Sequence, residues 1–244
     1  MNKSLIYALD FDGVICDSAV ETAITGWKAA THMWPDMVGT IPTEAHIEQF
    51  RSLRPQLETG YEAIVLMRLL QQGESVANIK ANMGQFIDHL GEDVALLKTL
   101  FGQTRDQWIE HARDEWIIMN PLFEGISDKL QQLQGQPWYI VTTKQERFVK
   151  QILAANQVSM PDDIYGLDRK MSKTEVLQEL VLKHADAKLC FIEDRLPTLL
   201  TIADNKSLSS VELQLVDWGY NTEQDRNQAK ESGFQVISLP EFLA

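Results

Sequence analysis

Four short stretches of this 244-residue chain carry side chains with chemistry to offer, and three of them close a run of apolar residues. They are Asp10-Phe11-Asp12-Gly13-Val14, Thr142-Thr143-Lys144, Lys170-Met171-Ser172-Lys173 and Glu193-Asp194. Two aspartates two residues apart at a strand end share one side of it, because successive side chains alternate, and Phe11 then packs on the other. Together the stretches supply a carboxylate nucleophile, a second acid beside it, a hydroxyl donor, a lysine and a further acid pair. Each has an ordinary explanation when taken singly: Asp12-Gly13 as a turn, Thr142 as a helix N-cap, Glu193-Asp194 as a solvated pair. Their order along successive strands is what argues for a site.

The elements that must position them follow from periodicity. Residues 5–9 (LIYAL) read as a buried strand stopped by DFDG. From Ser18 to Met119 the pattern is helical throughout. Tyr61, Ile64, Val65, Leu69 and Leu70 keep helical spacing up to Gly73, a C-cap, and Ser75 opens a second run that ends before Gly91. Thr104-Arg105-Asp106-Gln107 has the form of a capping box and predicts a helix start there, running to Asn120-Pro121. After Pro121 the texture alternates: helix 125–134, strand 138–142, helix 145–155, strand 164–167, helix from Ser172, strand 189–193, a further helix, strand 213–218, helix 223–232 and FQVISL. Strands separated by helices of this length imply a parallel sheet covered on both faces. The expected fold is therefore α/β, a Rossmann-like parallel core of residues 1–17 and 119–244, with an all-α domain of residues 18–118 inserted after the first strand. Ligands of such sheets bind beyond the carboxyl ends of the strands, where the four stretches lie.

DFDGV, IVTT, a lysine after the third strand and FIEDR, in that order, resemble the four motifs of the haloacid dehalogenase superfamily of phosphohydrolases, and the resemblance spans the whole chain. Pro121-Leu122-Phe123-Glu124-Gly125-Ile126 resembles its re-entry segment, and the helical insertion its α-helical cap. The resemblance implies a Mg²⁺-dependent phosphatase acting on a small phosphorylated metabolite. Asp10 would attack phosphorus to give an aspartyl-phosphate; Asp12 would protonate the leaving alkoxide and then deprotonate water. Thr142, Thr143 and Lys173 would meet the phosphoryl oxygens, and Asp10, the Asp12 carbonyl, Asp194 and Glu193 would hold or support the cation. Lys173 is favoured over Lys170 because the capping box Ser172-Lys173-Thr174-Glu175 fixes its backbone. Thr198 stands four residues after Asp194, where one common form of the fourth motif has an acid.

A cap selects substrate, and Arg51 and Arg54, three apart in an acidic protein, are candidates for an anionic substrate group. A phosphomutase of the β-phosphoglucomutase type needs the same aspartates, and a catalytically silent binding protein of the same fold is the alternative of another class. Composition narrows the partners. Lys plus Arg number 22 against 35 Asp plus Glu, a net charge of −13, with no basic cluster, which argues against nucleic acid and anionic membrane. Cys16 and Cys190 sit apart in apolar segments and suit buried reduced thiols, so the cytoplasm is the expected compartment. Of the six tryptophans, Trp27, Trp34, Trp108 and Trp116 are expected in the core of the helical domain.

Overall fold

The computed structural model describes residues 4–90 and 93–244; Gly91, the expected helix stop, lies outside them. The chain divides into two compact units, one of Met1–Asp17 with Pro121–Ala244 and the other of Ser18–Asn120. The second crossing thus falls two residues later than the expected 118/119.

The described residues of the first unit form a six-stranded sheet from β1 (Leu5–Leu9), β2 (Trp138–Val141), β3 (Asp163–Tyr165), β4 (Lys188–Glu193), β5 (Glu212–Val216) and β6 (Gln235–Ile237). Every pairing is parallel and the order is β3-β2-β1-β4-β5-β6. The central strands read as uninterrupted apolar runs because both faces are covered, and Ile6, Ala8, Tyr139, Val141, Phe191 and Leu215 pack into one cluster on the sheet. Strand β3 is shorter than the expected 164–167. Gly166 is pressed against the next loop, where a Cβ would lie 2.7 Å from the Lys144 carbonyl, and Leu167 already starts a 3₁₀ turn. Burial pushes the Cys190 thiol up to about 12, with the Glu212 charge adding to it, so this cysteine stays protonated; it and Cys16 are both buried and unbridged.

The second unit holds α1 (Ala19–Met33), α2 (Glu44–Leu53), α3 (Glu62–Gln71), α4 (Val76–Leu90) and α5 (Val94–Ile118). Helices α1 and α3 meet backbone to backbone at Gly26, where a Cβ would come within 2.6 Å of the Ala63 carbonyl oxygen. Around that crossing Trp27, Phe50, Leu53, Ile64, Leu66 and Met67 form the core. Gly73 ends α3 at φ +81°, and the following Glu74 N–H reaches back to the Leu69 carbonyl. Trp108 and Trp116 are also buried, while Trp34 is partly exposed.

The expected helix start at Thr104 is corrected. Helix α5 begins ten residues earlier, capped by the Asp93 carboxylate on the Ala95 N–H, and Thr104 is a buried interior residue. Leu97, Phe101 and Trp108 continue one apolar stripe through the sequence that resembles a cap, so packing overrides the local signal. The break in α5 comes instead at Ala112, with φ −150° and ψ 57°.

The remaining helices, α6 (Ile126–Gln132), α7 (Glu146–Ala155), α8 (Lys173–Lys183), α9 (Leu196–Ala203), α10 (Glu223–Glu231) and α11 (Leu239–Leu243), belong to the first unit. Among the described residues no helix is long and apolar enough to cross a membrane.

One polar knot lies inside the helical unit. Glu21, fully buried on α1, accepts hydrogen bonds from Thr25 Oγ1 (2.7 Å), Arg105 Nε (2.7 Å) and Nη2 (2.8 Å), and Trp116 Nε1 (3.0 Å). Removing the carboxylate leaves the Arg105 charge and the indole N–H without it in an apolar surrounding. Glu21→Ala is expected to lower stability by about 3–5 kcal/mol, read as a loss of urea midpoint followed by tryptophan fluorescence. A loss below about 1 kcal/mol would show that the knot contributes no more than an exposed pair.

Candidate active site

The sheet order places β1 and β4 side by side at the point where successive connections depart in opposite directions, which leaves a crevice beyond their carboxyl ends. Their register pairs Leu9 with Ile192, and the Asp10 N–H extends the ladder to the Ile192 carbonyl (2.9 Å). Asp10 and Glu193 therefore leave adjacent strands at one level. One oxygen each from Asp10, Glu193 and Asp194 lies within 4.8 Å of the others, and all three residues are buried.

Lys173 sits on the first residue of α8, whose capping box is formed: the Ser172 hydroxyl accepts the Glu175 N–H and the Glu175 carboxylate accepts the Ser172 N–H. From there its ammonium donates to Glu193 Oε2 (2.7 Å) and lies 2.9 Å from Asp10 Oδ1. Lys170 stands exposed in the left-handed region at φ 55°. Of the two candidate lysines, Lys173 is the one brought to Asp10.

Burial alone would lower the Lys173 pKa, but Asp10 and Glu193 outweigh it and raise the value, keeping the group charged. Asp10 is pushed up to about 7 by burial, with Lys173 opposing and the charges of Glu193 and Asp12 adding. Asp194 is raised by burial and by the neighbouring Glu193 and Asp10 carboxylates.

The surrounding backbone is shaped to this cluster. Residues 11–16 fold into a tight turn in which the Ile15 and Cys16 N–H groups both donate to the Phe11 carbonyl and the Gly13 N–H to the Cys16 carbonyl. Gly13 has φ +90°, and a Cβ there would stand 2.1 Å from Asp194 Oδ2, so conformation and space both demand glycine. Glu193 Oε1 accepts from the Asp194 and Arg195 N–H groups (3.1 Å each), which leaves its carboxylate bound on both oxygens. Thr142 is buried, and its Oγ1 accepts the Lys144 N–H (3.1 Å); Gln145, not Thr142, is the N-cap residue of α7. Thr143 is exposed. Arg51 and Arg54 belong to the helical unit: Arg51 is exposed at the end of α2, and Arg54, half-buried, directs Nη1 at the Leu57 carbonyl (3.4 Å).

Two residues, Tyr220 and Asn221, escaped the sequence reading, and Lys144, named there at the end of its strand, has a partner that reading did not give. Asp194 Oδ2 accepts the Tyr220 N–H (2.7 Å), Asn221 Nδ2 bridges the carbonyls of Asp194 and Val216, and Lys144 Nζ donates to Asp12 Oδ1 (2.9 Å). Trp218-Gly219-Tyr220-Asn221 follows β5, and the same rule of polar residues after strands picks it out.

A divalent cation fits this donor set. Asp10, Asp12, Glu193 and Asp194 bring four carboxyl groups against the two ammonium groups of Lys144 and Lys173, and Asp10 Oδ1 is buried without a well-directed hydrogen bond. Carboxylate and carbonyl oxygens alone suit a hard ion such as Mg²⁺.

No family model matches the sequence, and no curated protein matches it. Solved structures do. A predicted phosphatase from Clostridium acetobutylicum superposes with a TM-score of 0.63 at 18% identity, covering 100% of this chain and 97% of that one. A HAD-superfamily (haloacid dehalogenase) hydrolase of subfamily IA from Geobacter sulfurreducens gives 0.54 at 15% identity, covering 94% and 96%. A predicted phosphoglycolate phosphatase from Haemophilus somnus gives 0.58 at 12%, covering 96% and 93%. The chain has the haloacid dehalogenase fold, with its α/β core and inserted helical unit.

The crowding of carboxylates has a measurable consequence. In chelator, Asp194→Asn is expected to raise the unfolding midpoint by about 2–4 °C, the shift that ~1 kcal/mol makes in a chain of this size, because it removes one buried like charge. Added Mg²⁺ should raise the midpoint of the wild type and fail to raise that of the variant. A Mg²⁺ shift of equal size in both would remove Asp194 from the metal site.

Proposed function

We propose that the chain is a Mg²⁺-dependent phosphatase of a small phosphomonoester, working through an aspartyl-phosphate on Asp10. The observation that carries this reading is the Lys173 ammonium 2.9 Å from Asp10, at a strand end where a second carboxylate follows two residues later. The phosphatase descriptions of the Clostridium and Haemophilus structures support it.

Asp10 attacks phosphorus in line as the bond to the alcohol oxygen breaks. Asp12 gives its proton to that oxygen, then takes one from the water that attacks the phosphorus of the intermediate as its bond to Asp10 breaks, so phosphate leaves and both carboxyl groups are regenerated. Lys173 and the Thr142 hydroxyl, with Thr143, face the phosphoryl oxygens, where fixed charge and donors act with little reorganisation. A cation held by Asp10, Asp194 and the Asp12 carbonyl would neutralise repulsion between the phosphoryl group and these carboxylates. Glu193, already bound on both oxygens, suits the role of holding Lys173 and the Asp194 backbone in place.

The helical unit is, in this reading, the cap that chooses the substrate, with Arg51 and Arg54 as contacts to its second anionic group. Replacing either with Ala should lower kcat/KM about 10- to 100-fold on a metabolite carrying a carboxylate or second phosphate, and leave 4-nitrophenyl phosphate within about threefold. Equal losses on both would point to a damaged fold.

Asp10→Asn tests the reaction itself. The variant should keep its circular dichroism while kcat on 4-nitrophenyl phosphate falls by more than about 10³-fold, since the amide is nearly isosteric but not a nucleophile. A folded variant with substantial residual turnover excludes the aspartyl-phosphate route, and a wild type that releases no phosphate from any phosphomonoester leaves a binding protein. A β-phosphoglucomutase activity would appear as transfer between sugar hydroxyls with little free phosphate.

A further inference from the structure

Lys144 has no task in the mechanism above, yet its side chain is 2% exposed. An ammonium so enclosed is costly unless paired, and its partner is Asp12 Oδ1 at 2.9 Å. The backbone from which it springs is fixed at both ends. Its N–H donates to Thr142 Oγ1, its carbonyl accepts the Leu167 N–H (3.1 Å), and Gly166 is pressed against that carbonyl. Its Nζ also lies 5.9 Å from the ring centroid of Phe11, the fully buried residue between the two aspartates. The two lysines thus divide the two aspartates: Lys173 from α8 serves Asp10, and Lys144 from the end of β2 serves Asp12.

We propose that Lys144 is the positioning residue of the acid–base carboxylate, holding Asp12 by Oδ1 so that Oδ2 faces the reacting oxygens. The assignment rests on the phosphatase reading. Anchoring one oxygen of an aspartate on a turn to a pinned cation narrows the rotamers open to it before substrate arrives. One proton moves from Oδ2 to the alcohol oxygen as that oxygen's bond to phosphorus breaks, and another moves to Oδ2 from the water that attacks phosphorus as the Asp10–phosphorus bond breaks.

The test uses the full chain with saturating Mg²⁺ and two probes that differ in their need for a proton. Glycerol 2-phosphate expels an alkoxide, which requires one; 4-nitrophenyl phosphate expels a phenolate, which does not. Because kcat/KM reports events through release of the alcohol, it isolates the step in which Asp12 acts as acid. Lys144→Gln and Lys144→Met, both checked by near-ultraviolet circular dichroism, should lower kcat/KM on glycerol 2-phosphate by about 10²-fold and on the aryl ester by less than about fivefold. Lys144→Arg should recover most of the alkyl loss, and in an Asp12→Asn background Lys144→Gln should add nothing further. A wild type that hydrolyses neither probe overturns the phosphatase reading and this assignment with it. A wild type that hydrolyses both, with variants that lose the two equally or lose neither, overturns the assignment of Lys144 alone.

Discussion

Carboxylates do not share a buried space without compensation, and at the ends of β1 and β4 this protein brings together Asp10, Glu193 and Asp194, within 4.8 Å. In a medium of low polarizability such a cluster is costly unless cations and directed N–H groups answer it. Much of the local structure is the answer. Helix α8 starts where its first side chain, Lys173, reaches two of the carboxylates. Backbone N–H groups of Asp194, Arg195 and Tyr220 are turned onto Glu193 and Asp194. Glycines occupy positions 13 and 219 because a Cβ at either would collide with Asp194. What remains uncompensated is net negative, which suits a divalent cation; burial first, and the neighbouring carboxylates after it, raise the Asp10 and Asp194 pKa values.

The parallel sheet makes the cluster possible. Only adjacent parallel strands deliver their carboxyl ends to one place, and the strand order puts the first and fourth strands next to each other although more than 170 residues separate them. The helical unit is inserted into the short stretch between β1 and the rest of the sheet. Its own core, around Trp27, Phe50 and Met67, and its own buried ion pair, Glu21 with Arg105, give it the means to hold its shape apart from the sheet.

Residues that chemistry demands at strand ends were legible because a strand end is a local event. Asp10, Asp12, Glu193 and Asp194 each terminate or closely follow an apolar run, and the capping box read at Ser172 forms, with Lys173 as the first residue of α8. Local signals misled where packing overrode them: Thr104 carries a cap-like pattern inside helix α5, eight residues before the break at Ala112, and β3 ends at Tyr165 where IYGL reads as a longer strand. Partnerships across the fold were not legible at all. Lys144 and Asp12 are 132 positions apart, and although Lys144 stands in one of the four stretches that close or follow strands, nothing in the sequence pairs it with Asp12. The same holds for Glu21, whose donors Arg105 and Trp116 lie 84 and 95 positions along the chain.

The claim on which the rest turns is that Asp10 is the atom donor to phosphorus. Mixing the wild-type chain with 4-nitrophenyl phosphate and Mg²⁺, quenching in acid within one turnover and mapping the peptides by mass spectrometry tests it most directly. The account predicts a phosphoryl group on the peptide carrying Asp10, labile to hydroxylamine as an acyl phosphate is, and discharged when the quench is delayed past substrate exhaustion. Turnover with no covalent adduct at any quench time, or an adduct on another residue, would contradict it.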